Sequence, residues 1–396
     1  MDKEQTDFLI SGGGVAGLAA AVAFGAAGFS VIVVDPAPPV TDAGAEGADL
    51  RTTAFLQPAQ AFLARAGLWE ALAPQATALQ IMRIVDAGRD PAVSRDFVAA
   101  DISDAPFGCN LPNWLLRRVM VDRIRDMDTV TLRTGTGFAG MVARLDQVLV
   151  RLTDGSQIAA RLVIGADGRA SAVRQAAGIG VTTTRYGQKA VTFAVTHPAP
   201  HNGISTEVHR SGGPFTLVPL PDHDGQPCSS VVWMDTGPRI AALAALSDAA
   251  FTAAANDRSA GVNGPLTLVG KRSVWPIISQ IADRITAPRT ALVAEAAHVM
   301  PPIGAQGLNM SLADMACLLD LATAAPDRLG DPAMLAAYDR QRHAEMKLRV
   351  RGIDLLNRTS MAQSALVHDL RALGVRALHD AAPVRHRLMK LGLGAS

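Results

Sequence analysis

The chain has 396 residues, 49% of them hydrophobic, and a formal net charge of +1. A polypeptide of this size buries a large core and divides into more than one domain, and so neutral a balance offers no basic field for displacing counterions from nucleic-acid phosphates. Its three cysteines, Cys109, Cys228 and Cys317, are far apart and form no C-x-x-C pair, and the nine histidines show no ligand spacing; a reducing compartment is expected, with no disulfide framework and no metal.

The first predicted element is the most informative. An apolar run from Phe8 to Ile10 leads into Gly12, Gly14 and Gly17, an Ala-rich stretch follows, and a second run from Val31 to Val34 is closed by Asp35. Strand, glycine turn, helix, strand and acid are the parts of a dinucleotide site. Gly12 permits the tight turn, Gly14 lets the backbone approach a pyrophosphate, and Gly17 lets the helix pack on the strand. Phosphate oxygens then sit on free N–H groups at the helix start while Asp35 accepts from ribose hydroxyls. The stretch does not read as a signal peptide or a membrane span, because Asp2, Glu4 and Asp7 stand where a positive segment is needed and glycines interrupt the apolar run. No other segment has the length and apolarity of a span, so a cytoplasmic protein is expected, at most peripheral to the inner membrane.

Helical patterning runs through residues 58–73, with Phe62, Leu63, Leu68 and Leu72 facing inward. Short strand-like runs lie around Ile81 to Val85, then a loop ends at residues 107–113. A helix starts near Asn113 with Leu115, Leu116, Val119 and Met120 on one face. Alternation returns in 129–135 and 147–168, with Asp154-Gly155 as a hairpin turn. The strand Leu162 to Ile164 delivers Asp167-Gly168, then Ser171 and Arg174; taken alone, Asp-Gly after a strand is a turn. From Val181 to Ile285 the pattern becomes that of a second, largely antiparallel sheet, with Ala-rich stretches around 241–255 read as a surface helix. From Ala287 strand, glycine loop and helix return, so the first domain is interrupted by the second.

Three landmarks in order, G-x-G-x-x-G, Asp167-Gly168, and the loop from Ala296-Ala297-His298 through Pro301-Pro302 to Gly304-Ala305-Gln306-Gly307-Leu308-Asn309, resemble the class A flavoprotein monooxygenases, and more closely the ubiquinone-biosynthesis hydroxylases. Asp49, Arg51 and Ala54 match a D-x-R-x-x-A pattern, Leu116-Arg117 an L-R pair, Tyr186-Gly187-Gln188 and Gly213-Pro214-Phe215 the substrate domain, and Tyr338 and Arg342 the helix after the flavin site. The resemblance implies an α/β fold: a Rossmann-like FAD-binding domain of the hydroxybenzoate-hydroxylase type (1–75, 105–180 and 286–330) interrupted by a largely antiparallel β-sheet substrate domain (76–104 and 181–285), with C-terminal helices over 331–396.

It further implies that Arg51 and Arg117 lie by the flavin or its phosphates, that Asp167 and Gly168 help hold the pyrophosphate, and that Glu295 meets the ribityl chain as a buried acid. Gly304, Gln306, Gly307, Leu308 and Asn309 present backbone N–H groups to the flavin ring, where reduced flavin carries negative charge, and Pro301 and Pro302 shape that loop. His298 titrates near neutrality beside it, but a His followed by apolar residues and two prolines reads as a hydrogen-bonded structural side chain more than as a proton-transfer group. FAD is the implied cofactor and NADH or NADPH a transient reductant, since no second G-x-G-x-x-G exists. Dioxygen would add to reduced flavin as a C4a-hydroperoxide whose distal oxygen passes to a polyprenylated phenol.

Two departures stand out: Ala294-Glu295 replaces the family's Gly-Asp, and Ala305 stands where the ubiquinone branch commonly has glycine. They keep two alternatives open, a soluble aromatic-acid hydroxylase and a non-catalytic flavoprotein-like assembly factor. Leucines 366, 370, 373 and 378, interspersed with Arg371, Arg376 and His379, and then Arg385, Arg387 and Lys390, suit an anionic membrane, a partner hydroxylase, or packing on the chain's own body. A homodimer is compatible with the same pattern.

Overall fold

The computed structural model describes residues 4–88, 92–210, 212–361 and 382–393. Ten helices are used as landmarks: α1 (Val15–Ala26), α2 (Gln57–Arg65), α3 (Trp69–Leu72), α4 (Asn113–Arg125), α5 (Ala172–Ala176), α6 (Gly237–Ala244), α7 (Asp248–Arg258), α8 (Gln306–Ala324), α9 (Pro332–Met361) and α10 (Ala382–Leu393).

The first sheet is built from runs that are apolar at every position. Phe8, Leu9 and Ile10, Val31 to Val34, and Leu162 to Ile164 are all buried, as strands covered on both faces must be. They pair in parallel, Phe8 opposite both Val31 and Leu162, in the order 290–292, 157–165, 4–11, 31–35, 130–134, with 286–287 antiparallel at the edge beside 290–292. Strands 148–152 and 138–143 extend the sheet as antiparallel neighbours, with Gly155 in the predicted hairpin turn at φ 86°. Helix α1 packs against the sheet, α4 and α8 and is buried almost along its whole length.

The second sheet has the order 298–299, 267–282, 181–196, 226–236, 214–223, 204–209, 81–86, 93–98, antiparallel except where 204–209 runs beside 81–86. One face holds Phe193, Phe215 and Trp233, roofed by α6 through Ile240 and Leu243 and by α7 through Phe251, which meets Phe193 edge-on and Trp233 at a tilt. A third, small sheet joins 52–56, 108–112 and 77–79.

Two local expectations change. The helical stretch over 58–73 is two helices, because Gly67 at φ 71° ends the first; the four expected apolar positions are buried all the same. Residues 108–112 are a strand, not a loop. Gly108 lies so near the paired strand that a Cβ would fall 1.9 Å from the Phe55 carbonyl, so its lack of a side chain signals close backbone approach.

One stretch connects the two large sheets. Thr290–Leu292 is in the first; after a turn at Ala294–Ala296, His298–Val299 pairs with Gln280 and Ile281 at the edge of the second; the chain then loops into α8. At the other end α10 rests on the body through buried Met389 and an Arg385–Asp101 pair at 3.2 Å, the packing alternative for that helix. The expected amphipathic stretch 366–379 lies outside the described residues. Among those described, no helix is long and apolar enough to cross a membrane.

Candidate functional site

The glycine turn is forced at two positions and open at a third. Gly12 has φ 115°, and a Cβ there would meet the Ala166 carbonyl oxygen at 2.4 Å; one on Gly17 would meet the Gly12 carbonyl oxygen at 1.9 Å. Gly17 therefore lets the helix close on the turn itself. Gly14, the residue before α1, has nothing within 4 Å of an added Cβ, and no side chain caps the helix. Its first N–H groups face a space an anion can enter. Asp35 is oriented by two backbone donors, Gly13 N–H to Oδ2 at 2.6 Å and Ala37 N–H to Oδ1 at 2.9 Å, and retains lone pairs for ribose hydroxyls.

A second group of side chains gathers at the start of α4. Arg51 grips Asp49 with Nε and Nη2, both at 2.7 Å; Asn113 donates to the same carboxylate at 3.0 Å and is itself held by Thr53; Arg117 Nη2 lies 3.7 Å away. Burial pushes the Asp49 carboxyl up, but the Arg51 fork, Asn113 and Arg117 together bring it below the usual carboxylate range. Arg51 is held above its ordinary value by that same bond to Asp49, with Glu295 adding to it. The guanidinium also lies 5.6 Å from the Trp275 ring centroid, on the second sheet. Arg117 Nε is buried with no hydrogen-bond partner in the structure, and a buried donor of that kind calls for an acceptor.

Asp167 is bonded within its own turn. Its carboxylate accepts from Ser171 Oγ and from the Val173 N–H at 3.0 Å, capping the short α5. Gly168 has φ 79° and open space beside it.

The 290–309 segment is clamped from three sides. Tyr338 donates to the Leu292 carbonyl at 2.9 Å, and buried Arg174 to the Ala296 carbonyl at 2.9 Å. His298 Nε2 lies 2.8 Å from Asp314 Oδ2, whose other oxygen accepts from Arg342 at 2.8 Å. His298 and Asp314 are both enclosed, so the histidine holds this segment on α8. Glu295 is exposed, not buried as expected; it follows left-handed Ala294 (φ 53°) and acts on Arg51.

Beyond Pro301 and Pro302 the loop makes two left-handed residues in succession, Gly304 at φ 63° and Ala305 at φ 56°. The α8 start that follows has no side-chain cap, and Gly304 and Gly307 are exposed there. Leu308 is half-buried against the core. Asn309 uses its whole amide internally, accepting from Leu56 N–H at 2.8 Å and donating to the Ala54 and Ala305 carbonyls at 2.7 and 2.6 Å, so it positions the loop. The Gln306 amide donates to the Gly304 carbonyl at 2.9 Å, and its oxygen accepts from Arg349 at 2.7 Å.

Sequence reading missed Asn113, Asp314 and Arg349. Arg349 is 43 residues from Gln306 and left no local signal. Asp314 did leave one, as an acid in the otherwise apolar stretch 312–319. An open groove of about 330 Å³, lined by Pro58, Phe62, Leu312 and Cys317 among others, touches the predicted flavin residues only at Asn309.

An open glycine turn, an unpartnered buried arginine donor, and a second uncapped helix start fit a long anionic dinucleotide carrying a ring. Residues 5–352 match the FAD binding domain family. The chain is 34% identical over 392 residues to the ubiquinone hydroxylase UbiL of Rhodospirillum rubrum, covering 98% of this chain and 89% of that one. It is 27% identical to the 3-demethoxyubiquinol 3-hydroxylase of Escherichia coli across the full length of both. Among solved structures, the p-nitrophenol 4-monooxygenase PnpA of Pseudomonas putida superposes with a TM-score of 0.80 over 98% of both chains at 18% identity, which shows the fold. The flavin-dependent monooxygenase PieE, solved with FAD and substrate, superposes with 0.74 over 100% of this chain and 72% of that one at 21% identity. The fold is that of a class A FAD-dependent monooxygenase, and the chain belongs to that family's branch of ubiquinone-biosynthesis hydroxylases.

Proposed function

We propose that this chain hydroxylates the aromatic ring of a polyprenylated phenol on the route to ubiquinone, with FAD held as the sequence predicts and NADH or NADPH visiting to reduce it. In this reading the first sheet, with α1, α4 and α8, is the FAD body, the second sheet forms the substrate side, and the long helices close the rear. The observation that carries it is the 290–309 segment, which takes the exposed, uncapped α8 start to the boundary of the two sheets.

FAD supplies the reduction by NAD(P)H and the activation of dioxygen. The chain's own part is to bind, orient and shield. The N–H groups at the start of α1 and the Arg117 guanidinium would neutralise the pyrophosphate, and Asp35 would accept from the adenosine ribose. The Gly304–Gly307 backbone would face the ring, where a helix N-terminus favours developing negative charge by roughly 0.3–2 kcal/mol. Exposed Glu295 would reach the ribityl chain from the solvent side, near Arg51. His298, tied to Asp314, would hold the loop and move no proton.

The experiment is the visible absorption spectrum of the purified protein with and without added FAD, followed by NAD(P)H oxidation and product analysis with a short-chain prenylphenol. Flavin bands near one per chain and an oxygen-dependent hydroxylated product are expected. No flavin binding at excess FAD overturns the catalytic reading. Turnover confined to water-soluble aromatic acids overturns the substrate.

A further inference from the structure

Helix α9 has a buried face and an outward one, and the outward face is unusual in both its components. Leu348 is 73% exposed, Leu355 63% and Leu356 53%. Leu348 and Leu355 are two turns apart and so lie on one side of the helix. Lys347, Arg351 and Arg358 flank them, and every exposed charged residue of α9 is a cation. The two acids of this stretch are partly exposed but already partnered: Glu345, 36% exposed, pairs with Arg342 and Arg349, and Asp354, 29% exposed, with the Tyr186 hydroxyl and Arg358. Lys347 and Arg351 draw no ion pair from another described residue. The strip from 347 to 358 is about 17 Å long at the helical rise.

We propose that this face of α9 docks on an anionic lipid bilayer. Leucines need an apolar phase, and a single-signed cationic border needs negative charge over the same flat span; an anionic membrane interface offers both. A second copy of the chain paired face to face would set the unpaired Lys347 and Arg351 against their own kind, which disfavours self-association as the use of the patch. The opposite face of α9 carries the functional half of the argument. Asp354 accepts from Tyr186, and Asn357 donates to Gln188 at 2.9 Å, so the strip is one helix thickness from strand 181–196 of the second sheet. Docking would bring the substrate side to the phase in which a prenylated phenol dissolves. That purpose rests on the proposed substrate, whereas the docking itself does not.

The test uses the full-length, FAD-supplemented protein in vesicle sedimentation, with phosphatidylcholine alone or mixed with phosphatidylglycerol, at low and high salt. Binding to the anionic vesicles alone, weakened by salt, is expected. Leu348→Gln combined with Leu355→Gln should lower the partition coefficient about tenfold, and Lys347→Gln with Arg351→Gln should weaken binding and flatten its salt dependence. Melting temperature, flavin spectrum and turnover of a short, soluble prenylphenol should not change in either variant. Equal binding to neutral vesicles, no binding, or binding insensitive to the leucine pair overturns the proposal. So does a leucine variant with a lowered melting temperature, since the patch is then covered by the chain itself, or one that abolishes a concentration-dependent dimer. Loss of soluble-substrate turnover in the unaltered protein instead defeats the proposed reaction and leaves the docking result standing.

Discussion

Burial decides the titration behaviour of both tyrosines. Tyr186 is pushed up to about 12, first by desolvation and then by its bond to Asp354. Tyr338, fully enclosed, is raised well above its ordinary value by desolvation, with Asp314 adding to it. The chain has only these two. Stability tied to their protonated forms is complete below the unfolded value near 10 and is lost as pH rises through the folded value, about 12 for Tyr186. Difference absorbance of the native protein should show almost no tyrosinate at pH 11, whereas denaturant releases both; early ionisation of either would contradict the burial described. A second residue-scale prediction concerns Ala294. A left-handed alanine is strained by roughly 1–2 kcal/mol, against about 0.4–1 kcal/mol that glycine loses through its freer unfolded chain. Ala294→Gly should therefore hold or raise the melting temperature and tighten FAD, although Ala→Gly at an ordinary helical site destabilises. A clear fall in melting temperature would refute the strain. The family's preference for glycine at 294 and 305 thus has a physical basis that the sequence shows only as two substitutions, since φ is not written in it.

Elements were legible in proportion to how local their cause is. The strand, turn, helix and strand of residues 4–35 could be read because each part is set by its own residues: apolar runs, glycines without room for a Cβ, and an acid at a fixed distance. The 108–112 strand was missed because Gly, Cys, Asn and Pro resemble a loop, and only the neighbouring strand makes the glycine necessary. Glu295 was expected to be buried on the resemblance alone, and its exposure beside left-handed Ala294 is not written in the sequence. The network joining His298, Asp314, Arg342, Glu345, Arg349 and Gln306 was not legible, because it is assembled by packing α8 on α9. Asp314 is its centre. Asp314→Ala would leave Arg342 a buried cation without its main partner and should destabilise by about 3–5 kcal/mol, seen in chemical denaturation. Arg349→Met removes the contact to Gln306 together with a partly exposed pair to Glu345, which keeps Arg342 as its partner. It should leave stability nearly unchanged while weakening FAD binding severalfold, measured by flavin fluorescence; equal loss in both assays would make Arg349 a fold residue only.

For the whole molecule, composition indicated size and a large core but gave no hint of how the two sheets are joined. That joint is the 290–309 segment, which gives three residues to the parallel sheet, two to the edge of the antiparallel one, and the start of a helix to the interface. A domain inserted by simple linkers can melt alone. Here, losing the second sheet would strip strand 298–299 of its partner and pull on the Leu292 and Ala296 carbonyls that anchor the first. Calorimetry of the FAD-free protein should accordingly give a single transition with equal calorimetric and van't Hoff enthalpies, and two resolved peaks would show that the sheets are independent. FAD, binding across the joint, would move that one transition upward as a unit. The segment proposed to present the flavin loop would then also make the fold cooperative, so that damage to either sheet would be felt as a loss of the site.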